Sequence, residues 1–421
     1  MASKAKKSSK RVDRCQVCGS NKLKSVLFVG YLPPVNELKK FGDRPEEETF
    51  YPAELLLCTG CTLVQLGSVV DPRILFPPTY PYTSGTTRIL RENFAELAID
   101  CDSVVPLTPK DLVVDIGSND GTLLSNFVSK ARVQGIEPSD RGKLGPAKGV
   151  PTLIAFFAKK SVEAVLKKSG PAKIITATNV FAHIDDVHDV VRNIKKLLGK
   201  KGVFISESHY LLSLVQTLQY DTIYHEHLRY YSLQSISCLL EKNGLEVVHA
   251  KRIPTHGGSI RVYSARKGKY PIQSSVKKLL AEEDSYGLGE ERLKEFAKRV
   301  AQSKLDLLSL LKGLKEKGNK ISAIGAPSRA STLITYVGID EGILENVLET
   351  PGSFKIGKYM PGTLIPVLDE SVLFENQPEY ALLLSWHIAE ELMPKIKKKG
   401  FRGDFIIPLP TPHIIKNSEV S

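Results

Sequence analysis

The chain has 421 residues, too many for one ordinary core, so two or three domains are expected. Its composition, 42% hydrophobic and 25% charged, is that of a globular protein, and no apolar run approaches the roughly 20 residues that would cross a bilayer. The formal net charge is +12; Lys4, Lys6, Lys7, Lys10 and Arg11 contribute five positive charges in an acid-free start, and without them the body carries +7. That balance suits a phosphorylated ligand without excluding nucleic acid.

Residues 1–12 read as a disordered basic tail; no apolar stretch follows them, so they are not a secretory signal. Residues 13–75 form a first block, with Cys15-Gln-Val-Cys18 and Cys58-Thr-Gly-Cys61 on strand-like flanks at Glu54–Cys58 and Thr62–Leu66. In a long chain without a signal peptide, paired CxxC spacing favours metal over disulfides. Four thiolates close a tetrahedral structural Zn²⁺ site and leave no open position for chemistry. A reducing cytoplasm is the natural setting. Cys101 and Cys238 are left as core or surface thiols.

Residues 76–270 alternate apolar strands (Leu112–Ile116, Val133–Ile136, Ile174–Thr178 and Gly202–Glu207) with amphipathic helices, the pattern of a parallel sheet covered on both faces. The first strand runs into Asp115-Ile-Gly117-Ser-Asn119-Asp120-Gly121. Its glycines let backbone approach a ligand, and the following helix start offers free amides. A dinucleotide fold would place Gly-x-Gly-x-x-Gly here to hold a pyrophosphate. The middle glycine is missing, and Asp115 and Asp120 crowd the turn. Acid repels phosphate but suits the cationic sulfonium and ammonium of S-adenosylmethionine (SAM). Glu137 ends the second strand and can accept both ribose hydroxyls. Asn179, just past Ile174–Thr178, joins these cofactor candidates. The run Asn179-Val-Phe-Ala-His183 has none of the prolines that enzymes acting on base amines carry there, which argues against a nucleic-acid base substrate.

After the next strand, Tyr220 to Tyr231 concentrates His225, Glu226, His227 and several tyrosines. A helical reading sets Tyr224 near His227 by an i,i+3 relation. Such a set can supply a base, its orienting partner and a phenolic donor. The third block, 271–421, opens on a long charged helical region, Ser274 to Lys317, and continues as a second α/β pattern with strands at Ile321–Ile324, Asn346–Leu348 and Tyr380–Leu384. The fold class expected is α/β: a small zinc-binding domain, a Rossmann-like SAM domain and a second Rossmann-like domain.

Taken together, the two cysteine knuckles, Asp115–Leu124, Tyr224-His-Glu-His227 with His256-Gly-Gly-Ser259, and Ile324-Gly-Ala-Pro-Ser-Arg-Ala-Ser-Thr332 resemble the SAM-dependent C-methyltransferases of nucleotide-linked 4-keto deoxysugars. The resemblance implies that His227 removes the C3 proton beside the ketone, with Glu226 and Tyr224 orienting it or stabilising the enolate. It implies an active-site role for His183 and for Tyr80 or Tyr82. It gives His225, Arg329, Lys355 and Lys358 to the nucleotide-sugar substrate, the last three as phosphate contacts, with Trp386 and His387 near the same cleft. At the last motif the chain departs from the family, carrying Arg329 and Ala330 where Lys and Gly are usual. A zinc-containing RNA or protein methyltransferase is the alternative, and a non-catalytic SAM-binding protein a weaker one. Aromatics are 7% of residues and do not interleave with basic runs beyond the tail, which disfavours a polynucleotide partner.

Overall fold

The computed structural model describes residues 8–44, 46–77, 83–86 and 88–420. Tyr80 and Tyr82 lie outside the described residues, as do residues 1–7. Ser9–Arg11, read from sequence as tail, instead pairs antiparallel with Ser68–Val70. Burial alternates at the start of Tyr51–Cys58, where Tyr51 and Ala53 are buried between half-buried Pro52 and Glu54, and becomes continuous from Leu55 to Cys58, where both faces are covered. This sheet orders Arg229–Tyr230, Val64–Leu66, Tyr51–Cys58 and Leu23–Leu32. Its first strand therefore comes from the middle of the chain and is the continuation of the polar segment 220–231.

The middle sheet runs Leu245–Ile253, Ser259–Arg266, Leu198–His209, Ala172–Thr178, Leu112–Ile116, Arg132–Glu137, Thr152–Ile154. Numbered along the chain this is 3-2-1-4-5-7-6, with the last strand antiparallel to both neighbours. It is the doubly wound order with one reversed strand inserted near an edge. Leu112–Ile116 is buried along its whole length, as expected of a strand covered on both faces. The helix Arg88–Val104 covers one face through Leu90, Phe94, Leu97 and Cys101. The other face meets Val187–Leu197 and the cysteine knuckles, with Val17 and Leu63 in the same core.

The C-terminal sheet carries five parallel strands, Pro366–Asp369, Asn346–Glu349, Ile321–Ile324, Tyr380–Leu383 and Asp404–Ile407, again 3-2-1-4-5. Short antiparallel strands, Lys358–Tyr359 and His413–Ile415, close its edges. The long helical region before it is two helices, Ser274–Tyr286 and Glu290–Glu316. The break falls at Gly287-Leu288-Gly289, where Gly287 takes a left-handed conformation and caps the first helix. In the second helix Leu293, Phe296, Val300, Leu307, Leu311 and Leu314 make one apolar stripe. That stripe joins the N-terminal sheet, the segment 211–224 and the C-terminal sheet in a single core. Among the described residues no helix is long and apolar enough to cross a membrane.

Candidate active site

The sulfurs of Cys15, Cys18, Cys58 and Cys61 lie within 4.8 Å of one another, with Cys15–Cys61 and Cys18–Cys58 at 3.5 Å. Zn–S bonds of about 2.3 Å in a tetrahedron require sulfurs roughly 3.8 Å apart, so the quartet fits the ion. The amides of Val17 and Cys18 point at the Cys15 sulfur and that of Gly60 at Cys58, each at 3.4 Å. Those donors stabilise thiolates.

The second cluster sits at the carboxyl ends of the middle sheet's strands, at the point where strand order reverses between Leu112–Ile116 and Ala172–Thr178. Gly117 adopts φ +69°, and a Cβ there would lie 2.8 Å from Val180, so the turn needs glycine. Its amide donates to the Ile136 carbonyl at 2.8 Å. Asn119, itself left-handed, donates its backbone N–H to Glu137 at 3.0 Å, and Ser139 donates to the other carboxylate oxygen through N–H (2.8 Å) and Oγ (2.6 Å). Asp115 is buried, and burial pushes its carboxyl up to about 7 against the pull of the 2.6 Å bond from Thr176. At Asp120 burial opposes ionisation, but Lys148 at 2.7 Å and Thr122 outweigh it and hold the carboxyl below its usual range. Gly121 caps the short helix Thr122–Ser125. Asn179 is left-handed, and its Oδ1 and the Oγ of Ser118 are buried without a partner among the described residues. Buried polar atoms of this kind call for a ligand. The glycine turn, the acidic side chains and these two unpaired atoms fit SAM.

Beside it lies a file of imidazoles. His227 faces His183 at 5.0 Å, His209 at 4.7 Å and the Tyr224 ring at 4.1 Å between centroids. His209 in turn faces His256 at 5.4 Å. Segment 224–227 is a turn rather than the expected helix, closed by the His227 N–H on the Tyr224 carbonyl at 2.9 Å; the pair meets all the same. His227 Nδ1 donates to the Thr222 carbonyl at 2.7 Å, which fixes the tautomer and leaves Nε2 free of any partner among the described residues. Burial drives His227 down to about 4, and His183 and His209 well below their ordinary range, so all three are neutral at pH 7. Burial likewise raises the Tyr224 phenol well above 10, keeping it a donor.

Two expected substrate residues are engaged elsewhere. His225 turns towards the N-terminal sheet, with Nε2 3.2 Å from the Pro52 carbonyl and its ring against Tyr51. Arg329 makes a bidentate bridge to Asp221, both bonds at 2.7 Å, under the Trp386 ring, whose Nε1 also donates to Asp221. Its guanidinium thus ties the C-terminal domain to the segment 220–231 and is not a free cation. Glu226 is buried and accepts from Asn36 at 2.8 Å. Lys355 donates to the Ala326 carbonyl, and Lys358 stands over the Phe354 ring at 4.9 Å, facing Lys40 across an isolated antiparallel bridge. Burial, with Lys40 adding to it, lowers the Lys358 ammonium. Sequence reading missed His209, Thr222, Asn36 and Asp221. His209 was within reach, since it lies two residues past a strand end already assigned, on the face where ligands bind.

Family models match three parts of the chain: a "Putative zinc binding domain" over residues 15–76, a methyltransferase domain over 87–250 and a C-methyltransferase C-terminal domain over 254–410. C-methyltransferase NovU of Streptomyces niveus is 34% identical over 410 residues, 96% of this chain and 97% of that protein. Among solved structures, a SAM-dependent methyltransferase of Clostridium acetobutylicum covers 44% of this chain and 94% of its own at 13% identity, TM-score 0.34. Magnesium protoporphyrin IX methyltransferase of Synechocystis with bound SAM covers 42% and 78% at 13% identity, TM-score 0.31.

Proposed function

Because the chain belongs to the family of SAM-dependent C-methyltransferases, we propose that its acceptor carbon is C3 of a nucleotide-linked 4-keto deoxysugar, activated as an enolate. One observation carries this reading: a buried, neutral His227 whose Nδ1 is held by a carbonyl, so that only Nε2 can take a proton, next to a protonated Tyr224. Carbon methylation needs a carbanion equivalent, and a hydrogen beside a ketone is acidic because the anion delocalises onto oxygen.

A base with a pKa near 4 is weak in isolation. Its conjugate acid is destabilised because burial leaves the charge unpaired. In the reaction the proton arrives together with the enolate charge, and the two offset each other. Tyr224 donates to the enolate oxygen. A positioned base and an oxyanion donor each contribute about two to four powers of ten. When bound, SAM supplies an electrophilic methyl group on its sulfonium. Glu137 takes the ribose hydroxyls, and Asp115, Asn119, Asn179 and the Gly117–Gly121 turn hold the rest; Asp120 keeps Lys148 in place. Glu226 shares the catalytic turn, but Thr222 already orients the His227 ring, so the carboxylate is left to the sugar side. His183 lines the same cleft. For the diphosphate we assign Lys358 and Lys355, with Lys40 adding a cation that the sequence did not single out; Arg329 is withdrawn from that role. A cytoplasmic setting follows from the nucleotide-sugar substrate and the thiolate site.

The test is methyl transfer from labelled SAM to a panel of nucleotide-4-keto-6-deoxyhexoses, read by mass spectrometry. One methyl gained on carbon of one sugar supports the reading and names the nucleotide. No transfer to any sugar, with SAM bound, sinks the substrate assignment.

A further inference from the structure

The turn that carries Tyr224, Glu226 and His227 is gripped along its length by the N-terminal block. His225 Nε2 meets the Pro52 carbonyl, the Leu66 N–H donates to the Leu228 carbonyl at 3.0 Å, and Arg229 and Tyr230 pair in register with Gln65 and Val64. Arg229 also reaches Gln16, between the first two cysteines, at 2.5 Å. These contacts hold backbone or flanking residues. One side chain of the block reaches a carboxylate of the site itself: Asn36 Nδ2 donates to Glu226 Oε1 at 2.8 Å. The orientation of that amide is dictated by chemistry, since an ionised carboxylate only accepts. It leaves Asn36 Oδ1 as the acceptor for the Ser328 hydroxyl of the C-terminal domain, at 3.4 Å. Asn36 is delivered by a stiff lever: it follows Pro33, Pro34 and Val35, all buried, at the end of the strand Leu23–Leu32.

We propose that Asn36 is a positioning residue of the methyl-transfer site, holding the Glu226 carboxylate and, through Ser328, registering that carboxylate against the C-terminal domain. The inference rests on the turn 224–227 being the catalytic one. A buried carboxylate needs its donors, and a charge-assisted bond at 2.8 Å is among the stronger single contacts available to it. Removing this donor takes one charge-assisted bond from Glu226, and the turn that it shares with Tyr224 and His227 loosens. The N-terminal block would then act on catalysis at two levels, through the sheet that receives Arg229–Tyr230 and through one amide.

The test compares Asn36→Ala and the isosteric Asn36→Asp with wild type in the full-length, SAM-bound protein. The first readout is hydrogen exchange of the amides of His227 and Leu228, which are bonded to the Tyr224 and Ala182 carbonyls. Both variants should exchange there about tenfold faster or more, with peptides over Leu112–Gly121 unchanged and SAM affinity within about twofold. Asn36→Asp, which sets a carboxylate against a carboxylate, should be the worse of the two, and it preserves volume if the alanine variant folds poorly. The second readout is a double-mutant cycle on the acceptor sugar: Asn36→Ala should lower kcat at least about tenfold in the wild-type background and by less than about twofold in Glu226→Ala, which has no acceptor for the amide. Unaltered exchange at the turn, or equal losses in both backgrounds, overturns the proposal. Absence of transfer by wild type would refute the substrate reading instead, and the exchange result would still decide the role of Asn36.

Discussion

In the middle sheet Gly117 (φ +69°) donates to the Ile136 carbonyl at 2.8 Å and the Asn119 N–H to Glu137 at 3.0 Å; in the C-terminal sheet Gly325 (φ +82°) donates to the Leu348 carbonyl at 2.8 Å and the Ala326 N–H to Glu349 at 2.5 Å. The strand, the glycine turn and the acid ending the next strand recur, on sheets that share the order 3-2-1-4-5. What surrounds them differs. At the first turn Ser118 Oγ and Asn179 Oδ1 are buried without partners among the described residues. At the second, the following helix sends Arg329 across to Asp221. The same backbone device therefore serves a detachable ligand in one sheet and an internal joint in the other. The turn alone therefore does not mark a cofactor crevice.

Substitutions should separate the two regions. The largest effect is expected between them, at His227→Ala: methyl transfer should fall about 10²- to 10⁴-fold while SAM titration changes little. Arg329→Ala strands Asp221 as a buried, unpaired charge and should cost about 3–5 kcal/mol, seen as a lowered unfolding midpoint, with SAM affinity retained by the protein that remains folded. If Arg329→Ala instead left stability intact and raised KM for the sugar, the joint would be a ligand site after all. Glu137→Gln should do the reverse, weakening SAM about tenfold with the unfolding midpoint nearly preserved. The smallest effect is a pH dependence. Asp115 is raised to about 7 by burial, and a cationic cofactor favours its ionised form. SAM affinity should therefore rise with pH through 7 and fall below it, by at most about tenfold per unit; Asp115→Asn should flatten the profile. A profile unchanged by that substitution would remove Asp115 from the crevice.

Much of this was legible in the chain. The cysteine pairs, the Gly117 turn and the acid at Glu137 are local signals, because spacing within one element fixes which atoms can meet. The strand periods gave both parallel sheets, and the Tyr224–His227 proximity was foreseen although a turn, not a helix, produces it. What stayed hidden depends on partners distant in sequence. Nothing in Gly325–Thr332 announces that Arg329 will pair with Asp221, 108 positions away. Likewise the family resemblance gave His225 to the substrate, whereas Pro52 and Tyr51 arrive beside it from the N-terminal sheet. Ser9–Arg11 reads as tail by charge, yet its backbone finds an open strand edge at Ser68–Val70.

The most direct measurement isolates proton removal from methyl transfer. The acceptor nucleotide-4-keto sugar would be incubated in D₂O with the enzyme and S-adenosylhomocysteine, and hydrogen exchange beside the ketone followed by NMR. The account predicts enzyme-dependent exchange at C3 that is lost in His227→Ala and retained in His225→Ala. Undiminished exchange in His227→Ala would contradict it and move the base to another member of the imidazole file.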